Sequence, residues 1–178
     1  ARNDDHDALA IYFTIVKLLF VTGRLADIPP LVALLEAARR GRDLGLTLVR
    51  NEHAYYVCIS QVLCDHPDTN PDTLAQRAVA VAEDVVGAGA ESQESARTVY
   101  VCGDSHSLCP SWRTLQAKGR TVRLASALVT GLKHWHMRPE SSFYPRLNLF
   151  HVLDTLPRGA HVVFLFGEID CREGILLS

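Results

Sequence analysis

Two short stretches decide the predicted fold: Val99-Tyr-Val-Cys-Gly-Asp-Ser-His-Ser107 and His161-Val-Val-Phe-Leu-Phe-Gly-Glu-Ile-Asp170. Each is an apolar run that ends at a glycine and is followed at once by polar side chains. This pattern is typical of a buried parallel strand that presents functional residues at its carboxyl end. The sequence therefore predicts that polar residues from both stretches lie at the carboxyl edge of a parallel sheet.

The residues around these stretches predict an α/β domain over 98–178. The predicted strands are Thr98–Cys102, Thr121–Val129 and His161–Phe166, and the predicted helices are Ser111–Lys118 and Pro145–Leu156. This alternation indicates a parallel sheet with helices on its faces. A doubly wound sheet rarely stops as soon after a strand as this chain does, so we expect the domain to be incomplete at its carboxyl end.

Residues 1–86 predict a different organisation, an all-α region. Apolar periodicity, caps and stop residues predict helices over about 8–22, 27–40, 46–64 and 70–86, with Asp7 as the cap of the first. Short turns between them would make two antiparallel helical hairpins. Residues 87–97 are rich in glycine, serine and glutamate without periodicity, which predicts a linker.

The helical region resembles tetratricopeptide repeats. Leu18-Leu-Phe-Val-Thr-Gly-Arg24 is similar to the end of the first helix of such a repeat, and Ala54-Tyr55-Tyr56 is similar to the matching helix of the next one. The resemblance implies a surface that docks a partner protein. A small helical bundle that covers the next domain explains the same residues and stays open as an alternative.

Composition excludes several classes of function. A net charge of −2 and the absence of a basic run argue against a nucleic-acid partner. The most apolar stretch, Ala8 to Val21, carries Lys17 and is shorter than the roughly 20 residues of a membrane span. Acidic residues precede it where a signal peptide would be basic. Five cysteines without a CxxC spacing favour reduced thiols and a cytoplasmic location.

The turn after the first strand carries the chemistry of greatest interest. Ser105 follows a strand and a glycine, so its hydroxyl could act as a nucleophile and its backbone N–H could form half of an oxyanion hole. A purely structural role is equally compatible with the sequence. In that case Ser105 and Ser107 cap the next helical turn and Asp104 braces it.

Over residues 98–176 the chain resembles the SGNH (GDSL-type) hydrolases. The resemblance lies in Gly103-Asp104-Ser105, in Thr130-Gly131 and in Gly167-Glu-Ile-Asp170. It implies a flavodoxin-like parallel sheet and an esterase or acyltransferase acting on a small ester, with no cofactor. It also implies that Ser105 is the nucleophile, within a Gly-Asp-Ser motif that includes Asp104. Gly131 would belong to the second sequence block of that family, and Gly167 and Asp170 to the third.

The chain departs from that family at two points. Ile169 stands where the family has its oxyanion asparagine, and no Asp-x-x-His follows to provide the acid and base. His136 could supply the base, although His134 and His136 are also explained as partly buried residues bonded to backbone carbonyls. The departures favour a non-catalytic scaffold as the alternative function. Segments of this chain also resemble sequences in plant and algal proteins that carry tetratricopeptide repeats, and that resemblance points to the same alternative.

A third interpretation uses the same residues for metal binding. Metallophosphoesterases place Asp-x-His after one strand and a second acidic residue after another, so Asp104, His106 and Glu168 would be ligands for Mn, Fe or Zn. The long separation of Asp104 from Glu168 and the lack of a later Asn-His pair weigh against it. Esterase, scaffold and phosphoesterase are therefore the three hypotheses, in that order.

Overall fold

The computed structural model describes residues 4–40, 42, 44–64 and 97–175. The chain divides into two compact units, Ala1–Gln93 and Glu94–Ser178. Helices and a four-stranded mixed sheet make it α/β overall, as the sequence predicts. The helix predicted over 70–86 and all but the last residue of the predicted linker lie outside the described residues.

The described part of the first unit contains three helices, α1 (Asp4–Val21), α2 (Ile28–Arg39) and α3 (Arg50–Cys64). A short 3-10 turn, Leu25–Asp27, joins α1 to α2. α1 begins before Asp7, so the prediction that Asp7 caps this helix is wrong.

The ends of these helices follow from local backbone chemistry. Gly23, with φ of 74°, follows α1, and Arg40, with φ of 52°, ends α2 in the left-handed conformation. α3 begins later than the predicted Leu46. The hydroxyl of Thr47 donates to the carbonyl of Leu44 at 2.7 Å and holds the preceding residues in a turn.

In its described residues, the core of the first unit is apolar apart from one buried charged group, Glu36. α1 contributes Phe13, Val16 and Phe20, which are fully buried. Within this unit the hydroxyl of Tyr56 on α3 donates to Glu36 on α2 at 2.7 Å. Burial, and then the bond to Glu36, raise the pKa of Tyr56 well above its ordinary value. The tyrosine therefore stays protonated and remains a donor.

The second unit is built on a sheet in the order β2-β3-β1-β4. Its strands are β1 (Arg97–Gly103), β2 (Thr114–Ala117), β3 (Arg120–Leu128) and β4 (His161–Leu165). β1 lies between β3 and β4 and runs parallel to both. The three predicted strands are therefore confirmed to within two residues, and their carboxyl ends meet at one edge.

The helix predicted over Ser111–Lys118 is wrong, because this segment contains β2. β2 pairs antiparallel with β3, so the sheet is mixed and not purely parallel. Lys118 and Gly119 have φ of 51° and 73° and form the tight turn of the hairpin. Pairing with β3 thus overrides the local helical preference of this segment.

One helix, α4 (Tyr144–Thr155), packs on one face of this sheet. Its buried Leu149 lies in a cluster with Cys102, Ala127, Val129 and Leu132. Burial raises the pKa of the Cys102 thiol to about 11, so this cysteine is a core residue in its neutral form. No helix among the described residues combines the length and apolar character needed to cross a membrane.

Candidate functional site

Three chain segments meet at the carboxyl edge of the sheet. They are the 3-10 turn Ser105–Leu108 after β1, the 3-10 turn His134–Met137 after β3, and the helical turn α5 (Glu168–Asp170) after β4. A further π-helical turn, Cys171–Ile175, continues α5. Contacts from His106 to Glu168 and from the backbone of His134 and Trp135 to Asp170 tie these segments together, so the edge forms one polar cluster.

Gly103 allows β1 and β4 to approach closely just before this edge. A Cβ atom at Gly103 would lie 1.8 Å from the carbonyl oxygen of Leu165, which no side chain could tolerate. The carbonyl of Gly103 also accepts a hydrogen bond from the N–H of Val129 at 2.7 Å. The glycine therefore fixes the ends of β1, β3 and β4 relative to one another.

Asp104 caps the turn that carries the predicted nucleophile. Its side chain is 1% exposed, and its Oδ1 accepts a hydrogen bond from the backbone N–H of His106 at 2.9 Å. Its Oδ2 is buried and accepts no hydrogen bond from the described residues. The cap is therefore the aspartate, and neither of the two serines proposed for that role provides it.

His106 is oriented by the same carboxylate. Its Nδ1 lies 3.0 Å from Asp104 Oδ1, and its Nε2 lies 4.0 Å from Glu168 Oε2. When Nδ1 donates to Asp104, Nε2 of the neutral ring is an unprotonated acceptor. A carboxylate behind an imidazole holds the ring in the tautomer and orientation that a general base needs.

Sequence reasoning assigned His106 only a role as a metal ligand and missed its pairing with Asp104. The pairing is local, and the Asp-x-His spacing after a strand was the signal for it. An aspartate that accepts from the N–H two residues later forms an Asx turn, which brings that residue back toward the carboxylate.

Ser105 and Ser107 differ in their surroundings. Ser107 is buried, and its hydroxyl donates to the carbonyl of Asp104 at 2.7 Å, which is a structural contact. Ser105 is partly exposed, and its hydroxyl makes no hydrogen bond with any described residue. Of the two, Ser105 is the hydroxyl that a substrate can reach.

Gly131 lies in the loop after β3 with φ of 71°, a conformation that favours glycine. A Cβ there would meet only the hydroxyl of Tyr144 at 3.6 Å, which is an ordinary contact. The backbone conformation therefore favours glycine here, whereas the surrounding space would accommodate a Cβ atom. Its backbone N–H belongs to the loop that joins β3 to the His134–Met137 turn.

Asp170 ties the loop after β4 to the loop after β3. Its carboxylate accepts hydrogen bonds from the backbone N–H groups of His134 at 2.7 Å and Trp135 at 3.0 Å. Partial burial opposes ionisation, but these two N–H donors and the nearby His134 outweigh it and lower the pKa of Asp170. The carboxylate is therefore charged in the folded protein at neutral pH.

The two histidines after β3 have separate environments. His136 is buried, and its Nδ1 accepts from the backbone N–H of Lys133 at 3.2 Å. Burial and the charge of Lys133 lower its pKa. The structure joins neither His136 nor His106 to Ser105 by a hydrogen bond. His134 instead packs on Phe166, with ring centroids 4.7 Å apart.

Gly167 lies beneath His134. It has φ of 113°, and a Cβ there would come within 3.0 Å of His134 Cδ2. Glycine is therefore favoured both by the backbone and by the neighbouring ring. Ile169, two residues after Gly167, has no side-chain hydrogen-bond donor. It therefore cannot provide the oxyanion contact that an asparagine at this position makes in the SGNH hydrolases.

Ion pairs complete the cluster at its exposed rim. Lys133 pairs with Glu173, and the hydrogen bond from Lys133 lowers the pKa of that carboxyl. Arg172 Nε lies 3.6 Å from Glu168 Oε1. These pairs are solvent-exposed and contribute little stability individually.

The metal hypothesis places Asp104, His106 and Glu168 together, and they do lie near one another. However, His106 Nδ1 faces Asp104 at 3.0 Å, so the two groups bond to each other. Across the part of the chain that the structure describes, no three His, Cys, Asp or Glu side chains are grouped so that they could hold a metal ion.

No protein-family model, curated protein or solved structure matches this chain.

Proposed function

We propose that the carboxyl edge of the sheet is an ester hydrolase site of the SGNH type, with Ser105 as the nucleophile. One observation carries the proposal. The Gly-Asp-Ser turn follows the strand that lies between β3 and β4, and the loops after those two strands contribute Gly131 and Asp170. The three blocks of the family resemblance thus occupy three adjacent strand ends.

The proposed reaction begins when the Ser105 hydroxyl attacks the carbonyl carbon of an ester. The oxyanion that forms is stabilised by backbone N–H groups of Ser105 and Gly131. The alcohol then leaves with a proton, and water hydrolyses the acyl-enzyme. Because Ile169 supplies no side-chain donor, we expect turnover about 10²- to 10³-fold slower than with a complete oxyanion hole.

We assign the general base to His106 in place of His136. Both belong to turns at this edge, but only His106 is backed by a carboxylate, at 3.0 Å from Asp104. Its side chain is half exposed, whereas His136 is buried with Nδ1 engaged. His106 Nε2 is therefore the imidazole nitrogen best prepared to accept the serine proton.

Hydrolysis of p-nitrophenyl acetate by variant proteins tests this assignment. Ser105→Ala is expected to abolish turnover, and His106→Gln to reduce it by about 10²- to 10⁴-fold, the usual contribution of a general base. Ser142→Ala, at an exposed serine outside the cluster, and His136→Gln are the matched controls and should retain activity. Equal rates in folded wild type and Ser105→Ala would refute the proposal.

A second candidate function, protein docking by the first unit, is favoured by a separate observation. Leu46 and Leu48, between α2 and α3, are 99% and 97% exposed and line one open surface cavity. Apolar side chains exposed together commonly mark a protein interface. We propose that this surface binds a peptide segment, in keeping with the tetratricopeptide resemblance.

Selection from a displayed peptide library tests the docking proposal. Peptides that bind wild type should lose binding to a Leu46→Ser, Leu48→Ser double variant and keep binding to Ser105→Ala. Binding unaffected by the double variant would contradict it. For both functions we propose the reducing cytoplasm as the location, which is supported by the free thiols of Cys102, Cys109 and Cys171.

A further inference from the structure

The amino-terminal edge of the sheet, at the end opposite the proposed ester site, holds a cavity of about 640 Å³. Ligand sites for small molecules commonly enclose about 300–1,000 Å³. Strand ends of β1, β3 and β4 and the β2–β3 turn line it, and the lining includes Arg97, Lys118, Arg120, His161, Val99 and Val122.

Strand register shows which face of the sheet the cavity occupies. Arg97 lies opposite Val122, and Val99 lies opposite His161. Residues paired in this way project to the same face, and alternate residues along a strand share it. Cys102 is an odd number of residues away from Arg97 and Val99 on β1, so its side chain projects to the opposite face, where it lies in the cluster beneath α4. The cavity is therefore on the face opposite α4.

The cations around the cavity have no neutralising partner among the residues that the structure describes. Arg97, Lys118 and Arg120 make no ion pair with any described residue, and no acidic side chain is among the described residues that line the cavity. Lys118 is held in the hairpin turn with φ of 51°. Three cationic groups thus converge on one cavity, with the imidazole of His161 beside them.

The rest of the lining is apolar. Val99 and Val122 form part of the surface beside the cations, and Val163 extends it along β4. Val163 is 51% exposed, although it lies on a strand that pairs with the central β1. An exposed valine surface next to a cluster of cations suits a ligand with one charged end and one apolar end.

We propose that this cavity binds an amphiphilic oxyanion, a carboxylate or phosphate attached to an alkyl chain. The head group lies between Arg97 and Arg120 with Lys118 alongside, because guanidinium groups bind both carboxylate and phosphate through paired hydrogen bonds. The alkyl chain covers Val99, Val122 and Val163. This site is distinct from the Ser105 cluster and does not rest on the proposed hydrolysis.

Calorimetric titration of the full chain tests the proposal with four probes used below their micellar concentrations: decanoate, decyl phosphate, decanol and inorganic phosphate. Saturable binding of decanoate or decyl phosphate is expected, and the tighter of the two identifies the head group. Decanol and inorganic phosphate, which each lack one half of the ligand, should bind at least about tenfold more weakly, a difference that titration resolves.

Charge-removing variants locate the site. Arg97→Gln and Arg120→Gln should each weaken binding of the tighter probe about tenfold or more, as expected for loss of one charged hydrogen-bond partner. Arg158→Gln removes the same charge from the exposed loop before β4 but does not line the cavity, so it should leave binding unchanged.

Three results would overturn the proposal: no saturable binding of either alkyl anion, decanol binding as tight as the anions, or an equal loss in Arg158→Gln. Circular dichroism of each variant confirms that the fold is retained. p-Nitrophenyl acetate hydrolysis by Arg97→Gln should equal that of wild type, so failure of this site and failure of the ester site give separate results.

Discussion

Replacing Asp170 with asparagine should loosen the connection between the loops after β3 and β4. The aspartate accepts two backbone N–H groups, from His134 at 2.7 Å and Trp135 at 3.0 Å. An asparagine keeps the shape but offers one acceptor atom, and its amide group faces the second N–H with another donor. One charge-assisted bond is weakened and the other is lost.

The expected cost follows from these two bonds. Hydrogen bonds to charged groups contribute about 1.5–3 kcal/mol each when buried. Asp170 is partly exposed, so water replaces some of the lost interaction, and we expect Asp170→Asn to lower the free energy of unfolding by about 2 kcal/mol. Urea denaturation measures it. Both tryptophans, Trp112 and Trp135, lie in the second unit, so their fluorescence reports unfolding of this unit.

The effect should depend on pH. The pKa of Asp170 is lower in the folded protein than its ordinary value of 3.8. Its stabilising contribution is therefore fully present above that value and is lost as pH falls through the lower folded pKa. The difference between wild type and Asp170→Asn should be largest at neutral pH and should shrink below about pH 4.

Glu140→Gln is the matched control, because it removes a carboxylate whose partner Arg138 lies 3.6 Å away on the surface. It should change stability little at any pH. The reasoning about Asp170 would be refuted if Asp170→Asn were as stable as wild type at neutral pH. It would also be refuted if the difference between the two proteins were the same at pH 7 and pH 3.

Two further substitutions test packing. Gly103→Ala should destabilise the second unit by about 3 kcal/mol or more, because its Cβ would lie 1.8 Å from the carbonyl oxygen of Leu165. Gly159→Ala, at an open position, should cost only about 1–2 kcal/mol, because its backbone is in the left-handed conformation. Similar urea midpoints for the two variants would contradict this prediction. Tyr56→Phe should lower the free energy of unfolding of the first unit by about 1–2 kcal/mol, because it removes the 2.7 Å hydrogen bond to buried Glu36. An unchanged midpoint of calorimetric unfolding would show that this bond contributes nothing.

The sequence predicts the strands of the second unit well for a physical reason. Thr98–Cys102 and His161–Phe166 are continuous apolar runs bounded by turn residues, a pattern typical of strands in a parallel sheet. β1 is central and buried at its carboxyl end, but β4 lies at an edge of the sheet with Val163, Phe164 and Leu165 exposed, so the expectation that this second strand is buried is wrong. Ser111–Lys118 is different. Its conformation is decided by pairing with β3 and by a left-handed Lys118, neither of which is encoded in the segment's own periodicity.

The candidate site is predictable only in part. The glycines that end strands and the polar residues that follow them are visible in the sequence, and these place Ser105 and Gly131 at the edge. The bonds from Asp170 to the His134–Trp135 backbone join residues far apart in the chain, so no local pattern reveals them. The contact of Gly103 with Leu165 likewise depends on how two strands approach.

Covalent labelling of Ser105 tests the central claim most directly. A fluorophosphonate reacts when an activated serine oxygen attacks phosphorus and fluoride leaves, so the adduct reports nucleophilicity without requiring knowledge of the natural substrate. Mass spectrometry of digested protein should find the phosphonate on Ser105 of wild type, a strongly reduced yield in His106→Gln, and an unchanged yield in His136→Gln. Folded wild-type protein with no adduct on Ser105, or with equal labelling of Ser142, would contradict the account.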